Sequence, residues 1–430
     1  MNVLDIAKKI VREGPICDHC MGRQFAKLST GLTNDKRGSA IKLALAMEGD
    51  RINKDEGDKE ILEDLSTSSV NARKSLRLKG EDEKCWVCLG LFEKLDTWAE
   101  RAETALKDYE HSTFLVGTKM SGLLSENEEI IWTESGTTYA EQFKSEMNRE
   151  VGKLIAERTG KEVKLENPDI LVTLDLAEEK VHLQVRSVYI LGRYRKMVRT
   201  IPQTRWPCRT CRGRGCETCN FTGKQYPESV DELIKDPVVE ALKSKDTKFH
   251  GAGREDIDAL MLGSGRPFVV EAVEPMLRTC DLAKVEKEIN ERAGGKIEVE
   301  GLTFTPKSTV ENLKTVKADK VYKLKVTFKE QIPEDKLRST INELIGVQIQ
   351  QRTPQRVSHR RADLVRKRTV HDMKLNELTD DYAMIEVHCE GGLYVKELIS
   401  SDEGRTIPSL TGLLGSQAFV TELDVVGVDI

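Results

Sequence analysis

The sequence predicts an α+β protein of several domains, and three observations carry that reading. At 430 residues the chain is long enough for two or three separate cores. Segments with apolar residues three and four apart stand beside segments that alternate apolar and polar, so helices and strands are mixed. Eight of the ten cysteines fall into four Cys-x-x-Cys pairs, and only Cys280 and Cys389 stand alone. In a cytosolic chain such pairs mean metal more often than disulfide.

The first region runs from residue 1 to about 95. Val3, Leu4, Ala7, Ile10 and Val11 share one face of an opening helix, and its charges make it an amphipathic helix and not a secretion signal. No apolar run approaches the ~20 residues a membrane helix needs, so a cytoplasmic location without membrane contact is expected. Cys17 and Cys20 follow Pro15; Cys85 and Cys88 come after a long polar, helical stretch. The two pairs are expected to share one metal, with buried apolar thiols as the alternative. His19 lies inside the first pair but is not expected to bind, since four thiolates already saturate the ion.

Residues 96–200 read as a second domain. Strands are expected at Thr113 to Gly117 and at Ile130 to Trp132, then a helix marked by Phe143, Met147, Val151, Leu154 and Ile155. A strand pair is expected over Ile170–Leu176 and Val181–Tyr189. Residues 201–225 form a linker in which Cys208, Cys211, Cys216 and Cys219 place four thiols within twelve residues. Two such pairs suit a tetrahedral zinc, and Gly213 and Gly215 allow the tight return between them; a redox dithiol is the weaker alternative. Residues 226–430 form the last region, with strands expected at Tyr322–Phe328, Tyr382–Cys389 and Ala418–Val426.

The net charge of −5 gives no global reason to expect nucleic acid. Local charge does. Ten Lys or Arg lie between Arg186 and Lys224 against Glu217 alone, and seven lie between Arg352 and Arg368 against Asp363. Such stretches on a mildly acidic protein suggest a directed polyanion track, with solvated surface charge as the alternative. Arg193, Arg195 and Lys196 are accordingly expected to contact phosphate and to act on affinity alone.

Residues 251–268 read GAGREDIDALMLGSGRPF. Glycines there permit sharp bends and close approach, and an aspartate beside a fixed arginine stays ionised, as a nucleophile or base must. Taken alone this also reads as a polar turn with an incidental Arg–Asp pair. The Gly-Arg-Glu-Asp turn, however, resembles the Gly-Arg-x-Asp turn of pseudouridine synthases. The whole block, with Lys320–Val326, Gln351–Arg361 and Gly391–Leu398 in order after it, resembles the archaeal-type tRNA pseudouridine synthases of the "ten" family. Pro168-Asp169-Ile170, Leu183-Gln184-Val185 and Gly192–Lys196 resemble a THUMP domain, an α/β RNA-binding module.

The resemblance implies a zinc-stapled N-terminal region, a THUMP-like domain, and a pseudouridine synthase domain built on a mixed, largely antiparallel sheet. It implies Asp256 as the catalytic carboxylate, with Arg254, Tyr322, Tyr394 and Lys396 at the substrate. Tyr322 would stack on the target base and Lys396 would pair with Asp256, while Glu255 points away; a tyrosine in such a strand is otherwise an ordinary sheet residue. The implied activity is isomerisation of uridine in the TΨC arm of tRNA, at position 55 and also 54, with structural zinc, no organic cofactor and no obligate protein partner. The THUMP-like domain would bind the acceptor end. Two rivals are a non-catalytic zinc and THUMP tRNA-binding protein, and another THUMP-containing tRNA-modifying enzyme, a methyltransferase or a thiouridine synthase. The last two need a glycine-rich cofactor or phosphate loop, for which Gly263-Ser264-Gly265 is the one candidate, poorly followed by Arg266-Pro267.

Overall fold

In the computed structural model of the chain, which describes residues 2–315 and 318–429, the first helix forms where the apolar spacing puts it. α1 (Val3–Arg12) starts on a reciprocal cap between Asn2 and Asp5 and buries Ile6, Ala7, Ile10 and Val11. α2 (Asp18–Arg23) follows, with Cys17 at its cap position. It crosses α3 (Asn34–Glu56) backbone against backbone. A Cβ on Gly22 would lie 1.8 Å from the carbonyl oxygen of Asn34, and one on Gly38 would lie 1.9 Å from that of Asp18. Only glycine fits either place, and the contact sets the short helix that carries Cys17 and Cys20.

These helices belong to a unit spanning Met1–Arg186. Its sheet has the order β2-β1-β3-β4, with β1 at Thr113–Lys119, β2 at Glu162–Val163, β3 at Ile170–Asp175 and β4 at Lys180–Val185. β1 runs parallel to β2 and β3, and β4 antiparallel to β3. The helix Phe143–Thr159 buries Met147, Val151 and Ile155, as its spacing requires. One apolar core runs from Ile6 to Val185, so the cysteine-bearing helices and this α/β part share a single interior. Ile130 to Trp132 is not a strand. It lies in the helix Gly122–Ser135, which starts on the Ser121 cap, buries Leu124, Asn127, Glu128, Ile131 and Ser135, and stops at left-handed Gly136. Three adjacent bulky apolar residues favour a strand locally, but the buried spacing of three and four decides for helix.

The second unit, Ser187–Ile430, is built on ten strands. These are β5 (Val188–Lys196), β6 (Asp246–Gly251), β7 (Leu260–Val273), β8 (Ile297–Thr305), β9 (Asp319–Phe328), β10 (Gln348–Arg352), β11 (Val365–Leu378), β12 (Ala383–Cys389), β13 (Thr406–Ile407) and β14 (Ala418–Asp429). Nine follow the order β13-β10-β11-β12-β9-β14-β7-β5-β8, and β6 pairs with β7. Among the described residues every pairing is antiparallel except β14 with β7. The sheet is therefore mixed and largely antiparallel.

β5 marks a difference from the sequence reading, which grouped residues up to 200 with the preceding domain. Val188–Lys196 pairs with β7 and β8, so the unit boundary falls at Arg186 and the cysteine-rich segment 201–225 lies inside the second unit. Alternation marks a half-buried strand but does not say which sheet receives it. Gly263 and Gly265 form no phosphate loop; they lie in β7 with φ of 57° and 69°. A Cβ on Gly263 would meet the Val426 oxygen at 1.8 Å, so this glycine serves the close approach of β14.

The helix crossing yields an expected outcome. Gly38→Ala forces the backbones of α2 and α3 apart, at a cost of about 3 kcal/mol, and should lower the melting temperature of the first unit by roughly 5–10 °C in calorimetry. An unchanged transition would contradict the backbone contact.

Candidate functional site

Four separate stretches of the second unit meet at one place. Tyr322 lies in β9, opposite Val387 of β12 on one side and Val425 of β14 on the other. Tyr394 stands at the cap of the helix Val395–Ser400. Its backbone is clamped by the buried Gln351 of β10, which donates to the Tyr394 carbonyl at 2.9 Å and accepts from its N–H at 2.8 Å. Lys396 follows in the first turn of that helix. Its ammonium reaches back to the turn between β6 and β7, 3.1 Å from Asp258 Oδ2 and 3.6 Å from Asp256 Oδ2.

Lys396 thus bridges two carboxylates, and its hydrogen bond goes to Asp258. Burial alone would raise the Asp258 carboxyl, but the bond and charge of Lys396 hold it below the usual range, so it stays ionised. Asp256 has a second cation: Arg356, 3.5 Å from Oδ2, which also pairs with the buried Glu397 at 2.6 Å. The Arg356 and Arg366 guanidinium groups each lie 5.9 Å from the Tyr394 ring centroid. Burial, followed by nearby charges that include Asp256, pushes the Tyr322 phenol up and keeps it neutral. Arg254 places its guanidinium 4.8 Å over the Trp206 ring.

The same turn is held from behind. Lys196, at the end of β5, is fully buried, and its ammonium donates to the carbonyls of Ile201, Asp256 and Ile257 at 3.1, 3.3 and 3.2 Å. Arg199 takes the Asp258 carbonyl at 2.8 Å, Gln203 that of Gly253 at 3.0 Å, and Arg266 that of Ala252 at 2.7 Å. Glu255 points inward, as expected. Its fully buried carboxylate accepts from the Tyr194 hydroxyl at 2.8 Å and lies 2.9 Å from Arg266 Nε. Five backbone carbonyls between Ala252 and Asp258 are therefore tied to side chains, while Asp256 and Asp258 project forward to Lys396.

This corrects the expectation for the basic stretch at residues 193–196. Arg193 donates to carbonyls of Ser264, Gly265 and Val428, and Arg195 pairs with Glu298 and Glu300. Burial pushes the Lys196 ammonium down from the usual lysine range. These groups serve the sheet and the turn, and none stands ready for phosphate. The sequence does hold a signal: Ile190, Tyr194 and Lys196 share a parity in β5, which puts the lysine on the core face. In the second basic stretch Arg352 pairs with Asp363 and Arg368 donates to Gly391; the side chain of Arg360 lies outside the described residues. A cavity of about 670 Å³, lined by Leu191, Pro267 and Leu313 among others, contains none of the residues around Lys396.

The eight paired cysteines form two clusters: Cys17, Cys20, Cys85 and Cys88, and Cys208, Cys211, Cys216 and Cys219. Within each, the sulfurs all lie within 4.8 Å of one another. Zinc with bonds of ~2.3 Å sets tetrahedral sulfur–sulfur edges of about 3.8 Å. The clusters show 3.7 Å for Cys17–Cys88, 3.9 Å for Cys208–Cys216 and 3.8 Å for Cys211–Cys219. Both donor sets fit a closed structural site. His19 instead bonds Glu146 at 2.8 Å and stacks on Phe92.

Comparison with known proteins agrees with this layout. The family model described as Pus10, C-terminal, matches residues 189–429, and that described as the archaeal Pus10 THUMP domain matches residues 98–175. The tRNA pseudouridine synthase Pus10 of Methanothrix thermoacetophila is 54% identical over 99% of this chain and 94% of its own. Its namesakes from Halorubrum lacusprofundi and Methanocaldococcus jannaschii are 44% and 42% identical, over 100% and 99% of this chain and 97% and 95% of theirs.

Metal analysis tests the cysteine clusters. The purified protein should hold two equivalents of zinc, and Cys216→Ser about one, with lowered stability, because a binding energy of ~10 kcal/mol or more is also folding energy. Wild-type protein without zinc would contradict this reading.

Proposed function

Given that this chain belongs to the Pus10 family of tRNA pseudouridine synthases, we propose that it isomerises uridine in the TΨC arm of tRNA, at position 55 and also 54, through an aspartate carboxylate. The names of the relatives support tRNA as the substrate; the position rests on the resemblance carried by the sequence motifs. What supports the chemistry is one arrangement: Lys396 facing the side chains of Asp256 and Asp258 beside Tyr322 and Tyr394. The reaction breaks the bond from C1′ of the ribose to N1 of uracil, turns the base, and joins C1′ to C5. The proton leaves C5 and N1 gains one, so no atom enters or departs. An anionic carboxylate can attack an electrophilic carbon or stabilise a cationic sugar, and a neutral phenol ring gives the extruded base a face to stack on. Arg366, beside Tyr394, would take a phosphate next to the flipped nucleotide. The two cysteine clusters would hold structural zinc. A THUMP-like domain around residues 98–175 would bind the acceptor end.

Asp256 is the reacting group in this reading: it stands two places after the arginine of the Gly-Arg-x-Asp turn. Arg356 at 3.5 Å and Lys396 at 3.6 Å face its Oδ2, and its charge is felt at Tyr322. A second reading gives the role to Asp258, which takes the Lys396 hydrogen bond at 3.1 Å.

Incubation of the purified protein with unmodified tRNA transcript and no added cofactor should give pseudouridine, detected by carbodiimide derivatisation and mass spectrometry. Binding without turnover would support an adaptor instead, and a methylated or thiolated base another THUMP-containing enzyme. Asp256→Asn should lower the rate roughly a thousandfold or more while tRNA still binds, and Asp258→Asn should keep measurable activity, within about a hundredfold of wild type. The reversed pattern would assign the reaction to Asp258, and full activity in both variants would remove the aspartate from the mechanism.

A further inference from the structure

The ten cations between Arg186 and Lys224 do not share one fate. Six are spent on the protein itself, among them Arg193, Arg195, Lys196 and Arg199. The four that remain, Arg205, Arg209, Arg212 and Arg214, are all exposed and form no ion pair among the described residues. All four lie on the Cys208–Cys219 knuckle or at its foot; only Arg214 turns one nitrogen inward, to the Cys211 carbonyl. At the end of the same knuckle Phe221 is 74% exposed. It is held there by two successive left-handed residues, Asn220 with φ 48° and Phe221 with φ 60°. A bulky side chain is disfavoured in that conformation, and an exposed phenyl gains nothing from the core.

The foot of the knuckle adjoins the reacting turn. Cys208 N–H donates to the Gly223 carbonyl at 2.8 Å and Gln225 N–H to that of Trp206 at 2.9 Å, closing the knuckle into a rigid finger. The Trp206 ring packs edge-on against Tyr226 at 5.5 Å and lies under the guanidinium of Arg254, two residues before Asp256. Planar guanidinium groups suit phosphate oxygens, and an exposed ring suits the face of an unpaired base.

We propose that this knuckle is a second RNA contact of the catalytic unit, in which Arg209, Arg212 and Arg214 take backbone phosphates and Phe221 stacks on an unpaired nucleotide next to the one that reacts. The substrate class rests on the function proposed above; the contact itself rests on the knuckle's own residues. It follows that the finger grips the strand entering the site and sets affinity without touching the reacting atoms.

Three variants of the full-length protein test it, each first checked for wild-type zinc content and melting temperature. Arg209→Ser/Arg212→Ser/Arg214→Ser should weaken binding of unmodified tRNA at least tenfold and lower the slope of log affinity against log salt by roughly two to three units. Phe221→Ala should weaken binding about fivefold or more with the slope unchanged. The added fluorescence of Phe221→Trp should be quenched by tRNA. At saturating enzyme the single-turnover rate should stay at the wild-type value in all three. Wild-type affinity and slope in the first two variants, or a tryptophan blind to tRNA, would overturn the proposal. Loss of binding in a protein whose wild type makes no pseudouridine would leave the contact standing and remove the proposed activity.

Discussion

A buried ammonium meeting three backbone carbonyls is the contact on which the catalytic unit depends. Taking a charge out of water is costly, and the cost is met only when each proton finds an acceptor. Lys196 has three protons and finds Ile201, Asp256 and Ile257. Without such ties, the segment from Gly251 to Asp258, rich in glycine and charge, would keep much of its chain entropy. With them, and with Arg199, Gln203 and Arg266 on the neighbouring carbonyls, the turn becomes a fixed platform. The two aspartates leave that platform on the open side, where Lys396 waits on a separate helix. One lysine shapes the backbone and another charges the side chains.

This division explains why a mildly acidic chain carries strongly basic segments. Much of the positive charge in β5 and the residues after it neutralises acids and carbonyls of the same unit, as with Arg195 between Glu298 and Glu300. What is left over collects on the metal knuckle and at Arg366 beside Tyr394. Charge counted along the sequence measures supply; only the fold shows what remains to be offered to a polyanion.

Much of the site was legible in the sequence. The Cys-x-x-Cys spacing marked the four pairs and the compact Cys208–Cys219 cluster, and the alternation around Tyr322 marked β9, because each signal is local. The inward turn of Glu255 followed from parity. The split of Lys396 between Asp256 and Asp258 was not legible, since it depends on how a helix 138 residues away is seated by Gln351. Nor was the role of Arg356, which reads as one more cation in a basic run until Glu397 fixes it. The helix at Gly122–Ser135 was hidden for a different reason: its buried face is half polar, so apolar spacing alone understates it. The placement of β5 depends on sheet partners far along the chain.

The central claim is that the turn must be held from behind for the carboxylate to react. Single-turnover pseudouridine formation by Lys196→Met at saturating enzyme tests this most directly, with tRNA affinity measured alongside. The account predicts a rate lower by roughly a hundredfold, the scale of a misplaced reacting group, with affinity nearly unchanged and a partial return of rate in Lys196→Gln, which keeps two donors. A wild-type rate in Lys196→Met, or a loss confined to affinity, would contradict it.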